Sequence, residues 1–197
     1  MQRRFYQRST ERVARDLLGK LLVRTTTEGR ATVRLTEVEA YLGPEDQACH
    51  TFGGRRTPRT EVMWGPAGFS YVYLVYGIHH CLNIVTVGDG HAEAVLIRGG
   101  SAVEGEALMR QRRAGGRELS NGPGKLCQAL SVTRADNGLD LCDAQSGLYL
   151  GDDGMEVPRA EVRTLPRVGV SYAGEAAAWP LRFLWQPSHR PGDGVTE

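Results

Sequence analysis

The sequence lacks the features that mark several specialised classes of protein. It contains no run of about 18 apolar residues, so it predicts no membrane span. Its four cysteines form no CxxC pair, which argues against a zinc ribbon, and they are too few for a disulfide scaffold in 197 residues. The basic N-terminus is followed by no apolar stretch, which argues against a secretory signal. We therefore expect free thiols in a reducing compartment, the cytoplasm.

A net charge of one sign is also missing, since the total is +1 at pH 7. The charge is nevertheless segregated along the chain. Residues 1–24 contain seven basic and two acidic residues, whereas residues 136–161 contain seven acidic residues and one basic residue. Such segregation can present a positive face to a polyanion, with the acidic segment as a solvated face turned away from it. The alternative, arginines scattered over a solvated surface, stays open on charge alone.

The hydrophobic pattern predicts short strands with few helices and no regular alternation of strand and helix. The predicted elements are a helix from Ser9 or Thr10 to Gly19, strands over 20–25, 31–42, 69–76, 78–87 and 92–98, a helix over 103–113, a helix capped by Asn121, and short strands within 140–185. Gly99-Gly100 is expected to end the strand at Arg98. Tyr76-Gly77 separates two strands rich in aromatic and β-branched residues, which indicates a β-hairpin with a tyrosine at its tip. The pattern is typical of an α+β domain with a largely antiparallel sheet.

A carboxylate in the second predicted strand is the first candidate for chemistry. Alternation along the strand is expected to place four side chains on one face: Leu35, Glu37, Glu39 and Tyr41. Partial burial beside apolar groups would raise the pKa of Glu39 toward a value that suits a general base. The alternative is that both glutamates face water at a sheet edge.

A loop rich in glycine and arginine follows this strand. Gly53 and Gly54 allow a close approach of the main chain, and the neighbouring arginines supply charge and forked donors for a phosphodiester backbone: Arg55, Arg56 and Arg59. An ordinary surface loop is the alternative. The histidines of the chain do not suggest a metal site, because adjacent residues such as His79 and His80 point to opposite sides of a strand.

Three tyrosines mark the predicted hairpin. In a straight strand Tyr73 points away from the face of Tyr76, so that Tyr73 can line a pocket while Tyr76 projects from the tip. An exposed aromatic at a tip suits a wedge between stacked bases. The alternative is that the tyrosines are core or rim residues, because strands favour tyrosine in any case.

Taken together, these motifs resemble one known family. The segments TEVEAYLGPEDQACH, YVYLVYG, VLIRG, NGPGKLCQAL and RVGVSYAGEAAAWPLRF occur in an order that is similar to that of the alkyladenine (3-methyladenine, methylpurine) DNA glycosylases, from about residue 5 to residue 185. The resemblance implies a single compact α+β domain over residues 1–197, with a curved, largely antiparallel sheet, flanking helices and a protruding β-hairpin. We expect the ends, 1–4 and 188–197, to be flexible.

The resemblance also implies a role for each matched residue. In the catalytic step, Glu39 activates the attacking water and Arg98 helps to hold it. The aromatic clamp and floor of the base pocket are formed by Tyr41, His50, Tyr73 and Asn83, and Asn83 disfavours the exocyclic amino group of guanine. Tyr76 fills the gap that the extruded base leaves in the duplex. Contacts to the DNA backbone are implied for Arg55, Arg56, Arg59 and Lys125.

The implied activity is that of a monofunctional DNA glycosylase. Such an enzyme flips alkylated or deaminated purines out of double-stranded DNA and hydrolyses the N-glycosidic bond, with no metal, no cofactor and no strand cleavage. We expect a monomer, associated with the nucleoid if the source is bacterial. The alternative is a non-catalytic module that binds damaged DNA, which would have no use for a carboxylate at Glu39. The stretch between Ile84 and Val95 is longer than the family pattern, and the lesion range stays open.

Overall fold

The structure, a computed structural model, describes residues 1–88 and 90–187. Within this part of the chain, eight strands form one sheet and three α-helices flank it. The strands are β1 (Leu21–Thr26), β2 (Gly29–Tyr41), β3 (Ser70–Val75), β4 (His79–Thr86), β5 (Glu93–Glu104), β6 (Leu148–Gly151), β7 (Val162–Leu165) and β8 (Arg182–Trp185). The helices are α1 (Thr10–Leu17), α2 (Glu106–Arg112) and α3 (Pro123–Ala129). None of the described helices is long and apolar enough to cross a membrane.

The sheet is antiparallel and curled. Its main path runs β3-β4-β5-β2-β1-β6, and β8 pairs with both β2 and β7. The long strand β2 pairs with β5 along one edge, whereas its other edge pairs first with β1 and then, from Glu37 to Glu39, with β8. The predicted single α+β domain with an antiparallel sheet is therefore confirmed, and so is the hairpin of β3 and β4.

An irregularity in the β2–β5 ladder corrects the predicted face of β2. The pairing register skips Thr36 on β2, and on β5 it skips Arg98 and Val103, so β2 carries one extra residue between Leu35 and Glu37. Bulges of this kind change which side of a strand the following residues face. Leu35 belongs to the main hydrophobic core, as do Val38 and Ala40. The prediction that Leu35 shares a face with Glu37 and Glu39 is therefore wrong.

Two other predicted boundaries also differ in the structure. Strand β5 does not end at Arg98 but continues through Gly99-Gly100 to Glu104. A Cβ at Gly100 would collide with the carbonyl oxygen of Arg34, so glycine serves here for close strand packing and not as a terminator. Helix α3 is preceded by Gly122 and not by a capping Asn121, whose side-chain amide donates to Glu118 instead.

The two oppositely charged segments pair with each other. Arg24 lies 2.8 Å from Asp136, and Lys20 lies 2.7 Å from Asp152. Arg3 lies 2.5 Å from Asp140, and the amino group of Met1 donates to the carbonyl of Leu150, so the N-terminal residues that we expected to be flexible have contacts with the domain. Residues 188–197, for which flexibility was also predicted, lie outside the described residues. The basic N-terminal segment is thus largely neutralised, and the acidic segment is not simply a solvated face.

Candidate active site

A cavity of about 520 Å³ opens on the sheet face opposite the main core. Its volume is within the range of small-molecule sites in proteins. It brings together five of the residues that the sequence marks as a catalytic or base-binding group: Tyr41, His50, Tyr73, Asn83 and Arg98. Arg59 and Tyr76 also line it.

The strand register explains why these residues meet. Glu39 on β2 lies opposite Leu96 on β5, Leu96 lies opposite Asn83 on β4, and Asn83 lies opposite Tyr71 on β3. Residues directly opposite each other in adjacent strands place their side chains on the same face of a sheet. A single row across four strands therefore runs from the carboxylate to the aromatic wall of the cavity.

Glu39 is fully buried immediately behind the cavity wall. Its Oε2 accepts a hydrogen bond from the hydroxyl of Tyr41 at 2.9 Å, and its Oε1 accepts one from the main-chain N–H of Val168 at 2.8 Å. Nη1 of Arg98 lies 3.3 Å from Oε1. Burial raises the pKa of Glu39, while Arg98 and the two donors act in the opposite direction. Zero exposure excludes the alternative in which Glu39 faces water.

The bulge at Arg98 aims its guanidinium at two carboxylates. Nε donates to Oε1 of Glu37 at 2.9 Å, and Nη1 approaches Glu39. Glu37 also accepts a hydrogen bond from Nη1 of Arg182 at 3.2 Å. Two glutamates and two arginines thus form one compact, charge-balanced network at the back of the cavity, and this network fixes the position of Arg98.

Aromatic rings form the side walls. The rings of His50 and Tyr73 meet edge to face with centroids 4.6 Å apart, and Tyr71 packs against Tyr73 at 5.2 Å. Burial, and then the nearby charges of Arg59 and Arg55, lower the pKa of His50 to about 4. The imidazole is therefore neutral at physiological pH.

Asn83 at the cavity floor and Tyr76 at the hairpin tip differ sharply in their solvent exposure. Asn83 is buried, and its side-chain amide donates to the carbonyl of Tyr71 at 3.0 Å. Tyr76 lies at the hairpin tip with 90% of its surface exposed and a φ of +52°, followed by Gly77 at +73°. Ile78 beside it is 72% exposed. Asn83 is thus held in place by burial and a hydrogen bond, whereas the side chain of Tyr76 is almost fully exposed to solvent.

The four basic residues that the sequence assigns to DNA backbone contacts lie in different settings. Arg55 is exposed. Arg56 pairs with Glu61 at 2.5 Å and stacks over Trp64. Lys125 pairs with Glu118 at 2.5 Å. Arg59 is exposed and also lines the cavity, where it contacts His50.

Sequence reasoning missed the second support of the site, the segment that follows Pro166. Arg167 is buried and forms a two-point ion pair with the buried Asp46, donates to the carbonyls of Ala40 and Ala176, and lies 4.7 Å from the ring centroid of Tyr41. In the sequence, only the RVGVSYAG motif pointed to this segment. No residue near Arg167 in the chain indicates that its partner, Asp46, lies more than a hundred positions away.

Comparisons with known proteins agree with this geometry. Residues 4–189 match the family model described as methylpurine-DNA glycosylase. A relative from Methanocella arvoryzae is 50% identical over 97% of both chains, and one from Desulfitobacterium hafniense is 45% identical over 94% of this chain and 95% of its own. One from Myxococcus xanthus is 49% identical over 92% of this chain and 87% of its own. Each of the three is described as a candidate 3-methyladenine DNA glycosylase.

Proposed function

The chain belongs to the methylpurine-DNA glycosylase family, and from that premise we propose that it extrudes damaged purines from duplex DNA and hydrolyses their N-glycosidic bonds. The observation that carries this proposal is the buried carboxylate of Glu39 behind an aromatic cavity large enough for a purine. A protein that only bound DNA would gain nothing from a negative charge at this place, since it repels phosphate.

The contacts of Glu39 favour its charged form. In the described part of the chain, the groups that contact its carboxylate are donors or cations: Tyr41 and Val168 donate hydrogen bonds, and the guanidinium of Arg98 forms an ion pair. Hydrogen-bond donors stabilise the charged form of a carboxyl group, which can then accept a proton. Burial raises its pKa, so it is a stronger base than a carboxylate in water. Glu39 can therefore accept a proton from water and stabilise positive charge on the deoxyribose.

In the proposed reaction, water enters between Glu39 and Arg98, where the contact is the longest of the three at 3.3 Å. As the bond from C1′ to the purine nitrogen breaks, the electron pair leaves with the base and positive charge develops on the sugar. The water oxygen bonds to C1′, and its proton passes to Glu39. The products are the free base and an abasic site.

Damaged bases are favoured at the extrusion step, and the aromatic walls hold the extruded base. Extrusion of a nucleotide costs a few kcal/mol, and it costs less for a base that pairs and stacks poorly. Once extruded, the base can stack on Tyr41 and Tyr73, which is worth about 1–3 kcal/mol per base. Tyr76, exposed at the hairpin tip, fills the space that the base leaves in the duplex and slows its return.

The cavity lining supports the proposal of hydrolysis without strand cleavage. In the described part of the chain, no lysine lines the cavity. The amino group of Met1 donates to Leu150, on β6 at the far edge of the sheet. With no amine to form a Schiff base, we expect plain hydrolysis, and borohydride treatment during turnover should trap no covalent enzyme–DNA adduct.

Direct detection of free base tests the proposal. Duplexes that carry 3-methyladenine, 7-methylguanine, hypoxanthine or ethenoadenine are incubated with the wild type and with Glu39→Gln. We expect the wild type to release at least one base and the variant to lose about 100-fold or more in single-turnover rate while it still binds lesion DNA. Glu61→Gln, on the surface loop, is the matched control and should retain activity.

Two outcomes would contradict the proposal. Glu39→Gln could release base at close to the wild-type rate, which would remove the carboxylate from the reaction. Alternatively, the wild type could bind lesion DNA and release no base, which would favour the binding module that the sequence left as an alternative.

A further inference from the structure

One of the two arginines that line the cavity has no carboxylate partner among the described residues. Of the two arginines that line the cavity among the described residues, Arg98 contacts both Glu37 and Glu39. Arg59 has no carboxylate partner in the described part of the chain; its hydrogen-bond partners there are His50 and Tyr71. The cavity therefore carries one unbalanced positive charge, and Arg59 supplies it.

The donors of Arg59 point at the groups that a bound base would meet. Nη2 lies 2.7 Å from Nε2 of His50, and Nε donates to the hydroxyl of Tyr71 at 3.2 Å. The guanidinium carbon lies 5.1 Å from the ring centroid of Tyr73. His50 is neutral, so it adds no second charge at this wall. Nη1 has no hydrogen-bond partner in the described part of the chain, so a purine that enters beside Tyr73 meets a guanidinium with donors available at Nη1 and at the second hydrogen of Nη2.

We propose that Arg59 determines lesion specificity by favouring neutral 6-oxopurines, such as hypoxanthine, over cationic methylated purines; this inference rests on the proposed function. A 6-oxopurine presents two adjacent acceptors, N7 and O6, and a guanidinium fork is the side-chain group that pairs with both at once. A cationic purine instead meets an unneutralised positive charge.

The charge that the leaving group acquires makes the distinction larger in the transition state. When the bond from C1′ to N9 of a neutral purine breaks, the electron pair stays on the purine, and negative charge spreads to N7 and O6. Arg59 stabilises that charge, while the water oxygen bonds to C1′ and its proton passes to Glu39. The proton that Glu39 accepted then passes through solvent to the purine anion, which leaves as the neutral base, and Glu39 is a carboxylate again. A cationic purine departs as a neutral molecule, so Arg59 gives its departure no such help.

Single-turnover rates on two substrates test the inference. One substrate is a duplex with a single hypoxanthine, and the other is a methylated duplex from which release of 3-methyladenine is followed. The enzymes are the wild type, Arg59→Ala, and Arg56→Ala as the control. Arg56 lies in the same loop, carries the same charge and does not line the cavity. Arg56→Ala should therefore change DNA binding without changing the recognition of the base.

We expect Arg59→Ala to slow hypoxanthine release and to leave 3-methyladenine release equal or faster, so that the ratio of the two rates falls about tenfold or more. In Arg56→Ala the ratio should stay within about twofold of the wild type. A wild-type enzyme that releases both bases and an unchanged ratio in Arg59→Ala would overturn the role of Arg59 and leave the glycosylase activity standing. Release of 3-methyladenine alone, or of neither base, by the wild type would also overturn it, whereas only a failure to release any of the four lesions named above would refute the proposed function itself.

Discussion

The main-chain N–H of Val168 donates to Oε1 of Glu39 at 2.8 Å, which joins β2 to a segment 129 positions further along the chain. The residue before Val168 is Arg167, whose side chain is fully buried and is paired with the fully buried Asp46. The position of the donor to Glu39 is therefore set by an ion pair that never touches the cavity. A change in that pair should affect both the stability of the domain and the environment of the carboxylate.

The first prediction concerns this buried pair. Asp46→Ala leaves Arg167 buried without its counter-charge, and removal of one partner of a buried pair costs about 3–5 kcal/mol. We expect a loss of that size in the free energy of unfolding, measured by urea denaturation at neutral pH. Glu118→Gln breaks the surface pair with Lys125 and should leave the urea midpoint unchanged. Equal midpoints for the two variants would show that the buried pair contributes little.

The second prediction is that the carboxylate of Glu39 lowers the stability of the fold at neutral pH. Its pKa is raised by burial, so the folded state binds its proton more tightly than the unfolded state does, and stability is lost as pH rises through the folded-state pKa. Glu39→Gln should therefore be more stable than the wild type at pH 8. The difference should shrink below the ordinary value of 4.5, where the carboxyl is protonated in both states.

A matched variant checks the sign of this effect. Glu61 is paired with Arg56 on the surface, which lowers its pKa. Its stabilising effect is present at neutral pH and is lost on acidification, so Glu61→Gln should be slightly less stable at pH 8 and equal to the wild type at low pH. If Glu39→Gln were the less stable protein at pH 8, burial would not be the dominant influence on Glu39.

The third prediction concerns His50. Its pKa of about 4 is caused first by burial and then by the charges of Arg59 and Arg55. The unfolded chain takes up this proton near the ordinary value of 6.5, so the wild type should lose stability as pH falls from about 6.5 toward 4. In Arg59→Ala one repelling cation is gone, and the pKa should rise. NMR titration of the imidazole measures the pKa of His50 in the wild type and in Arg59→Ala. The control Arg56→Ala should have the same pKa as the wild type. An unchanged pKa in Arg59→Ala would show that the charge of Arg59 does not affect the ring.

The fourth prediction separates function from folding at Tyr76. The side chain is 90% exposed, so Tyr76→Ser should leave the urea midpoint within error of the wild type. The same change removes the proposed wedge, and we expect the extruded state to be populated about tenfold less. The fluorescence of 2-aminopurine placed next to the lesion reports extrusion. Val103→Ser, at another exposed apolar residue, should have no effect. Equal fluorescence for the wild type, Tyr76→Ser and Val103→Ser would contradict the role of Tyr76 as a wedge.

Local sequence pattern predicted the parts of the site that depend on neighbours in the chain. The spacing of Tyr73 and Tyr76 placed one at a pocket and one at a tip, because alternation along a strand is a local property. The same rule failed for Leu35, because it assumes a regular ladder and the skipped residue Thr36 breaks the alternation along β2. Bulges depend on the partner strand, so the sequence of one strand does not reveal them.

Contacts between distant segments were beyond local reasoning. Charge counting suggested a free basic N-terminus, yet Arg24 and Asp136 pair across 112 positions. The partner of Arg24 depends on the fold, and a single sequence without its fold does not specify which charges meet. The contact of Arg59 with His50, nine positions away in the same loop, also went unpredicted, and the phosphate contact expected of Arg59 stays a prediction.

The strand that flanks Glu39 opposite β5 is β8, whose residue Arg182 lies directly across from it. Translation delivers residues 182–185 after nearly all of the other strands have left the ribosome. Until then β2 has an unpaired edge beside the carboxylate of Glu39. No residue of β8 lines the cavity, but Arg182 on this strand donates to Glu37 in the charged network behind it. A nascent or prematurely ended chain would therefore leave the edge of β2 beside Glu39 unpaired and that network incomplete, so the surroundings of this carboxylate are completed only late in synthesis.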